Sequence, residues 1–201
     1  TYSPSLVFDE ALEERIRREI LEPTLQGFQK DGLDFKGVLF IGLMISKDGP
    51  KVIEFNNRFG DPEAQSVLMR LDTDLLDIFT AVTENRLADM DIKWKQEKAV
   101  CVVLASGGYP GSYEKGKEIT GLDKVDADVV VFHAGTGNEH ICDANSCRSA
   151  VVTAGGRVLG VTATGKTHEE ARAKAFENVK RISFEGMQYR NDIGLIKGGN
   201  L

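Results

Sequence analysis

The sequence predicts an α+β protein in two parts, and three observations carry that prediction. An amphipathic helical stretch at 8–30 precedes two strand-like segments, 37–45 and 52–56, with a turn between them. From residue 99 onward, short β-branched strands follow one another. A single helical period, at 167–182, stands near the end. Residues 1–96 therefore read as an antiparallel sheet with helices. Residues 97–201 read as a small α+β domain whose sheet closes partly on itself and is covered on one side.

In the first helix Leu12, Ile16 and Ile20 recur at spacing four, with Glu13, Glu14, Arg17 and Arg18 on the wet side. Glutamates at helical spacing make the basic residues a solvated face rather than an anion site. Pro23 cannot donate to the carbonyl four residues back, which predicts a kink or break, and Gly32 ends the helix. The run Gly37–Ile45 is nearly all apolar, as in a strand buried on both faces or packed beneath other layers. Ser46-Lys47-Asp48-Gly49-Pro50 reads as a turn, so the two strands form a hairpin. Pro62 suits the first turn of a helix and Asp61 can cap it, with Val67, Leu68 and Leu71 turned inward. Asp72-Thr73-Asp74 opens another helix, buried along Leu75, Leu76, Phe79 and Val82. Residues 86–98 are polar and mixed, with Trp94 as an anchor, and the boundary is expected there. Strands follow at 99–105, 129–132, 150–152 and 157–163; Thr167 with Glu170 forms a capping box for the last helix.

Composition bounds the function. With 201 residues, 41% of them hydrophobic, there is material for one large or two small domains. A net charge of −6 argues against a nucleic-acid surface, whose footprint is basic. No apolar run approaches the ~20 residues that cross a bilayer, and Thr1-Tyr2-Ser3-Pro4 does not read as a signal peptide. Three cysteines, an odd number, do not make a disulfide framework, so a reducing, cytoplasmic setting is the default expectation.

The chemistry concentrates in Val52-Ile53-Glu54-Phe55-Asn56-Asn57-Arg58-Phe59-Gly60-Asp61-Pro62-Glu63. Alternation along a strand turns Glu54 and Asn56 to one face, Ile53 and Phe55 to the other. One carboxylate and one amide oxygen side by side are ligands of the kind Mg²⁺ takes while leaving room for phosphate oxygens. Arg58 adds a planar, permanently charged fork for a carboxylate or phosphate. Together these point to phosphoryl transfer, in which a protein chiefly positions groups and neutralises spreading charge. A solvated Glu and Asn beside an ordinary Gly-Asp-Pro turn is the plainer reading. For Asp61, capping and substrate contact both stand open. Other features carry less. His140, Cys142 and Cys147, with His133 upstream, match no common zinc spacing. Gly107-Gly108 and Gly155-Gly156 lack the helix start and Lys-Ser/Thr of a phosphate cradle and read as turns. Cys101 lies in an apolar strand and reads as an inert core residue.

The stretch Glu54-Phe55-Asn56-x-Arg58-Phe59-Gly60-Asp61-Pro62-Glu63-x-Gln65 resembles the signature of the phosphoribosylamine–glycine ligase family, ATP-grasp enzymes of purine synthesis. Tyr2-Ser3-Pro4, Gly37-Val38-Leu39-Phe40 and Gly42-Leu43-Met44 also fit it. Downstream, so do Gly107-Gly108-Tyr109-Pro110-Gly111-x-Tyr113, Phe132-His133-Ala134-Gly135-Thr136, Thr153-x-Gly155-Gly156-Arg157-Val158-Leu159 and Tyr189-Arg190-x-Asp192-Ile193-Gly194. The matches run in family order along nearly the whole chain but cover only the family's C-terminal portion. The N-terminal domain and the lid over ATP have no counterpart here, so the chain reads as a fragment.

The resemblance implies the fold of the C-terminal part of an ATP-grasp domain at 1–96 and the family's C-terminal domain at 97–201. It implies transfer of ATP's terminal phosphoryl to glycine, then displacement of phosphate by the amine of 5-phosphoribosylamine. On the matching positions, Glu54 and Asn56 would hold Mg²⁺ or Mn²⁺. Arg58 would hold the glycyl carboxylate and then the acyl phosphate, and Gly60, Asp61 and Pro62 would line the substrate pocket. Met44 is a candidate contact for adenine, with a core role as its other reading. Two departures stand out. Many ATP-grasp relatives carry a second metal-binding acid twelve residues before the Glu, where this chain has Gly42, although the ligase family also fits that Gly-Leu-Met pattern. Asn57 stands where the family more often has a small residue or Cys. The expected partners are glycine, 5-phosphoribosylamine, ATP and the enzyme's N-terminal part, in cis or in trans, with no membrane or nucleic acid. Without that N-terminal part the chain is expected to be inactive. Another ATP-grasp carboxylate–amine ligase, or a non-catalytic binding or assembly module keeping the fold, are the competing readings.

Overall fold

A computed structural model describes residues 1–142 and 146–195. In chain order its elements are β1 (Tyr2–Ser3), α1 (Glu10–Ile16), α2 (Glu22–Lys30), β2 (Phe40–Ser46), β3 (Gly49–Asn56), α3 (Ala64–Val67) and α4 (Leu75–Thr83). They continue with β4 (Lys98–Ala105), β5 (Val130–His133), β6 (Thr136–Cys142), β7 (Cys147–Thr153), β8 (Arg157–Gly165) and α5 (His168–Val179). The chain divides into two compact units. One comprises Pro4–Ala64 and Leu71–Lys95; the other comprises Thr1–Ser3, Gln65–Arg70 and the chain from Gln96 onward.

In the first unit, Asp9 caps α1 by accepting from the Leu12 amide at 2.8 Å, and Ile16 and Ile20 are buried. The expected break near Pro23 takes the form of a π-helical turn, Arg17–Leu21, between α1 and α2. In this turn the Glu22 amide donates to the Arg17 carbonyl, five residues back, just ahead of Pro23, which has no amide hydrogen to give. Arg15 donates to the Asp48 carbonyl at 2.5 Å and so ties α1 to the hairpin turn. Its guanidinium fills the space where a Cβ on Gly49 would sit, and Gly49 has φ 112°, so only glycine suits this corner.

The hairpin of β2 and β3 is present, but Pro50 belongs to the strand, opposite Ile45, rather than to the turn. Its burial differs from expectation. Met44, Ile45, Val52, Ile53 and Phe55 are all exposed, so the apolar run is not a strand buried on both faces. The helix after the motif is shorter than expected. It begins at Ala64 and becomes 3₁₀ at Leu68–Arg70. α4 is capped by Asp74, which accepts from the Leu76 amide at 2.7 Å. Its buried residue is Ala81, whereas Leu76 and Phe79 are exposed. Trp94 is half exposed and bridges to Leu71.

In the second unit, β1, β4, β8 and β5 form an open antiparallel sheet in that order. Val100, Val102 and Leu104 of β4 and Val158, Leu159, Val161 and Ala163 of β8 belong to the core, as do Ala171, Ala175 and Val179 of α5. Small residues four apart on α5 let the helix approach the sheet. The N-cap half of the capping box forms, Thr167 accepting from the Glu170 amide at 3.2 Å, while the Glu170 carboxylate reaches one residue further back and accepts from the Lys166 amide at 2.8 Å. Fully buried Asn178 donates to Asp126 and to the Lys174 carbonyl, and accepts from the Asp126 amide. Arg181 closes the cluster on the Asp126 carboxylate at 2.5 Å.

β6 and β7 form a separate two-stranded ribbon. The sequence reading missed β6 because Thr136-Gly137-Asn138-Glu139-His140 has no apolar alternation. It also missed the disulfide joining Cys142 to Cys147: an odd cysteine count excludes full pairing, not one bridge between strand partners. Cys101 is buried and lies outside the disulfide, in its expected core role. Among the described residues no helix is long and apolar enough to cross a membrane.

Two outcomes are expected. Thr167→Ala lowers the stability of this unit by about 1 kcal/mol in chemical denaturation, through loss of the cap. Hydrogen bonds from Arg181 and Asn178 hold the Asp126 carboxyl below its ordinary value of 3.8. A depressed pKa in the fold gives stability that is present above the unfolded value and lost as pH falls through the folded one. Asp126→Asn should therefore lower the unfolding midpoint at neutral pH, and its gap from the parent should close in strong acid.

Candidate active site

The candidate residues sit on and just after β3. Pairing is unbroken from Phe40–Asn56 through Ile41–Phe55 to Gly42–Glu54, so Glu54 and Asn56 project from the same face. The register then shifts: Leu43 pairs with Val52, leaving Ile53 as an extra residue in β3. This bulge reverses the alternation beyond it. Lys51 pairs with Met44 and joins Glu54, Asn56 and Gly42 on one face. Ile41, Leu43, Ile45, Pro50, Val52 and Phe55 share the other, entirely apolar face. Simple alternation would have placed Lys51 with Phe55, and no local residue pattern announces the bulge.

Gly42 stands directly opposite Glu54, and a Cβ there would lie 3.1 Å from the Glu54 Cγ. Glycine thus gives the carboxylate stem its room, and an acid at this place would stand cross-strand from Glu54. Glu54 is exposed and Asn56 half-buried. Arg58 is exposed; its Nη1 donates to the Phe59 carbonyl at 2.9 Å, and its Nη2 lies 3.5 Å from the Asn56 Oδ1. The last contact is at the limit of a hydrogen bond. Phe59 stacks on Phe79 of α4 at 6.4 Å between centroids, which anchors the loop beyond the guanidinium.

Gly60 is buried, and its carbonyl accepts from the Ala64 amide at 2.9 Å. A Cβ at Gly60 would meet the Glu63 Oε2 at 2.7 Å and the Glu63 Cβ at 3.0 Å, so Glu63 folds tightly over it. Burial pushes the Glu63 carboxyl above its usual range, and the Arg58 charge pulls partly the other way. The sequence reading gave Glu63 no role beyond the motif. Asp61 is exposed and Pro62 half-buried, joined by a cis peptide bond. Met44 is 58% exposed, which does not fit its core reading.

Glu54 and Asn56 are hard oxygen donors on one face, and they fit a divalent cation whose other positions come from phosphate and water. Among the described residues no group of three or more His, Cys, Asp or Glu could hold a metal by itself. Arg58 lies beside the Asn56 oxygen and Lys51 shares the strand face, so positive charge accompanies the oxygen donors, a setting suited to an anionic ligand.

Residues 1–64 match the family model "Phosphoribosylglycinamide synthetase, ATP-grasp (A) domain", and residues 99–196 match "Phosphoribosylglycinamide synthetase, C domain". A phosphoribosylamine–glycine ligase of Caldanaerobacter subterraneus is 45% identical over 95% of this chain and 44% of its own length. That of Rhizobium meliloti is 47% identical over 96% of the chain and 44% of its own. A chloroplastic ligase of Arabidopsis thaliana is 46% identical over 96% of the chain and 36% of its own. The crystal structure of phosphoribosylamine–glycine ligase from Thermotoga maritima superposes with a TM-score of 0.77 at 34% identity, over 96% of this chain and 45% of that one. N5-carboxyaminoimidazole ribonucleotide synthetase from the same organism, at TM-score 0.57 and 15% identity, shares the fold alone. The chain spans less than half the length of these relatives. With both family models matched in order and the same ligase recurring among its relatives, the chain belongs to the phosphoribosylglycinamide synthetase family.

Proposed function

We propose that this chain supplies the metal- and carboxylate-binding face of an ATP-dependent phosphoribosylamine–glycine ligase. Residues 1–96 serve as the C-terminal part of its ATP-grasp domain, and residues 97–201 as its C-terminal domain. The observation that carries the reading is the unbroken register of Phe40–Gly42 with Glu54–Asn56. It gives two oxygen ligands a common face with Lys51 and Met44, and Arg58 follows two residues on.

In this reading Glu54 and Asn56 hold Mg²⁺ or Mn²⁺. The ion when bound neutralises charge on the ATP phosphates during transfer of the terminal phosphoryl to the glycine carboxylate. Arg58 orients that carboxylate and then holds the acyl phosphate formed from it, offering charge where charge develops. Gly60, Asp61 and Pro62 line the substrate pocket, and Met44 contacts adenine. The amine of 5-phosphoribosylamine attacks the acyl carbon, phosphate leaves, and an amide bond remains. The exposed apolar face of the hairpin, with relatives more than twice as long, supports a further part of the ATP-grasp domain packing there, in cis or in trans. The setting proposed is cytoplasmic.

Three outcomes test the reading. In the complete enzyme, Glu54→Gln is expected to cut glycine-dependent ADP release by on the order of 10²-fold or more and to raise the Mg²⁺ requirement. Full turnover at ordinary Mg²⁺ would refute the metal assignment. Gly42→Ala should raise the Mg²⁺ requirement several-fold with little change in the unfolding midpoint, because the new methyl group crowds only the Glu54 stem. The 201-residue chain by itself should release no ADP in response to glycine, measured by coupled assay.

A further inference from the structure

We infer that Cys142 and Cys147 form a reversible thiol–disulfide site at the free end of the β6–β7 ribbon, open to exchange with small disulfides of the glutathione class. The two residues are direct strand partners, Cys142 opposite Cys147, with their Cα atoms 4.1 Å apart. Antiparallel register alone therefore brings the sulfurs together, and both residues are exposed. The third cysteine, Cys101, is fully buried in β4 and takes no part.

The ribbon is buried at one end only. Ala150, Val152 and Thr153 of β7 are buried, whereas Asn138, Glu139, His140, Cys142, Cys147, Arg148 and Ser149 are exposed. The inner half of β7 is hydrogen-bonded to residues 116–119. The outer end rests on its own two-stranded ladder, which is marginal in water, and on an ion pair, so covalent closure there strengthens the pairing of that end. Beside the pair, Arg148 is engaged by Glu118 through both terminal nitrogens, at 2.7 and 2.8 Å, which fixes β7 next to Cys147. Reactive, reducible disulfides are exposed ones.

The chemistry balances without help from the active site. The thiolate of one cysteine attacks a sulfur of the small disulfide; that S–S bond breaks, and one small thiol leaves with the electron pair and takes up a proton. The second cysteine's thiolate then attacks the protein-side sulfur of the mixed disulfide and expels the second small thiol. Two protein thiols are oxidised, one small disulfide is reduced to two thiols, and two protons pass from the cysteines to the leaving groups.

The test equilibrates the folded full chain with graded mixtures of reduced and oxidised glutathione, followed by acid quenching, alkylation and peptide mass measurement. Cys142 and Cys147 should lose alkylation together in one two-electron step, while Cys101 reacts only after unfolding. Cys142→Ser should leave Cys147 as a stable glutathione adduct, and Cys147→Ser the reverse. Amide exchange at Ile141 and Arg148 should be several-fold faster in the reduced chain than in the oxidised one, with the core strands unchanged. Alkylation of both cysteines at every ratio overturns the proposal, as does a bridge that stays closed at the most reducing ratio.

Discussion

One extra residue in β3 decides which side chains meet. Up to the pair Gly42–Glu54 the hairpin is regular; beyond it Ile53 is unpaired and the alternation reverses. The hairpin thereby gains one face of Lys51, Met44, Glu54 and Asn56 and another that is wholly apolar. A regular strand with the same residues would have set Lys51 among the apolar side chains and left the ligand face with one charge fewer. This division of the hairpin into a charged face and an apolar one comes from the bulge more than from any single motif residue.

The second unit gains its rigidity from a different arrangement. A flat stripe of alanines and Val179 on α5 lets the helix lie close on β4 and β8. Asn178, buried on the same helix, is fully engaged by Asp126 and Lys174. A buried amide with every partner in place fixes the helix in one rotational setting, where apolar packing alone would tolerate small slips.

Much of this was legible in the sequence, and the failures have physical causes. Continuous apolar, β-branched runs marked β4 and β8 and a capping box marked α5, because both strands bury consecutive residues within the chain's own core. The hairpin was legible as a hairpin, but its burial was not. An apolar strand declares that something covers it without saying whether the cover lies within the same unit. Glu54, Asn56 and Arg58 could be read as neighbours because nothing interrupts the register between them. Lys51 could not, since a bulge obeys pairing geometry that a single strand does not display. Glu63 escaped notice because its setting depends on the empty space at Gly60, which only coordinates reveal. β6 and the Cys142–Cys147 bridge were missed together: a polar strand carries no periodic signal, and the bridge follows from the pairing of that strand.

β1 is only two residues long, yet it reaches almost the whole first half of the chain away to its partner, Tyr2 pairing with Val100 and Ser3 with Ala99 at the outer edge of β4 in the second unit. The Thr1 amino group and carbonyl extend that seam along Cys101. The two units are therefore interleaved along the chain, and no single cut between residues 95 and 98 separates them cleanly. Residues from 97 onward, produced without the first few, would leave the Ala99–Cys101 stretch of a buried apolar strand with bare amide and carbonyl groups. Such an edge recruits other strands, so self-association would be the fate of that piece.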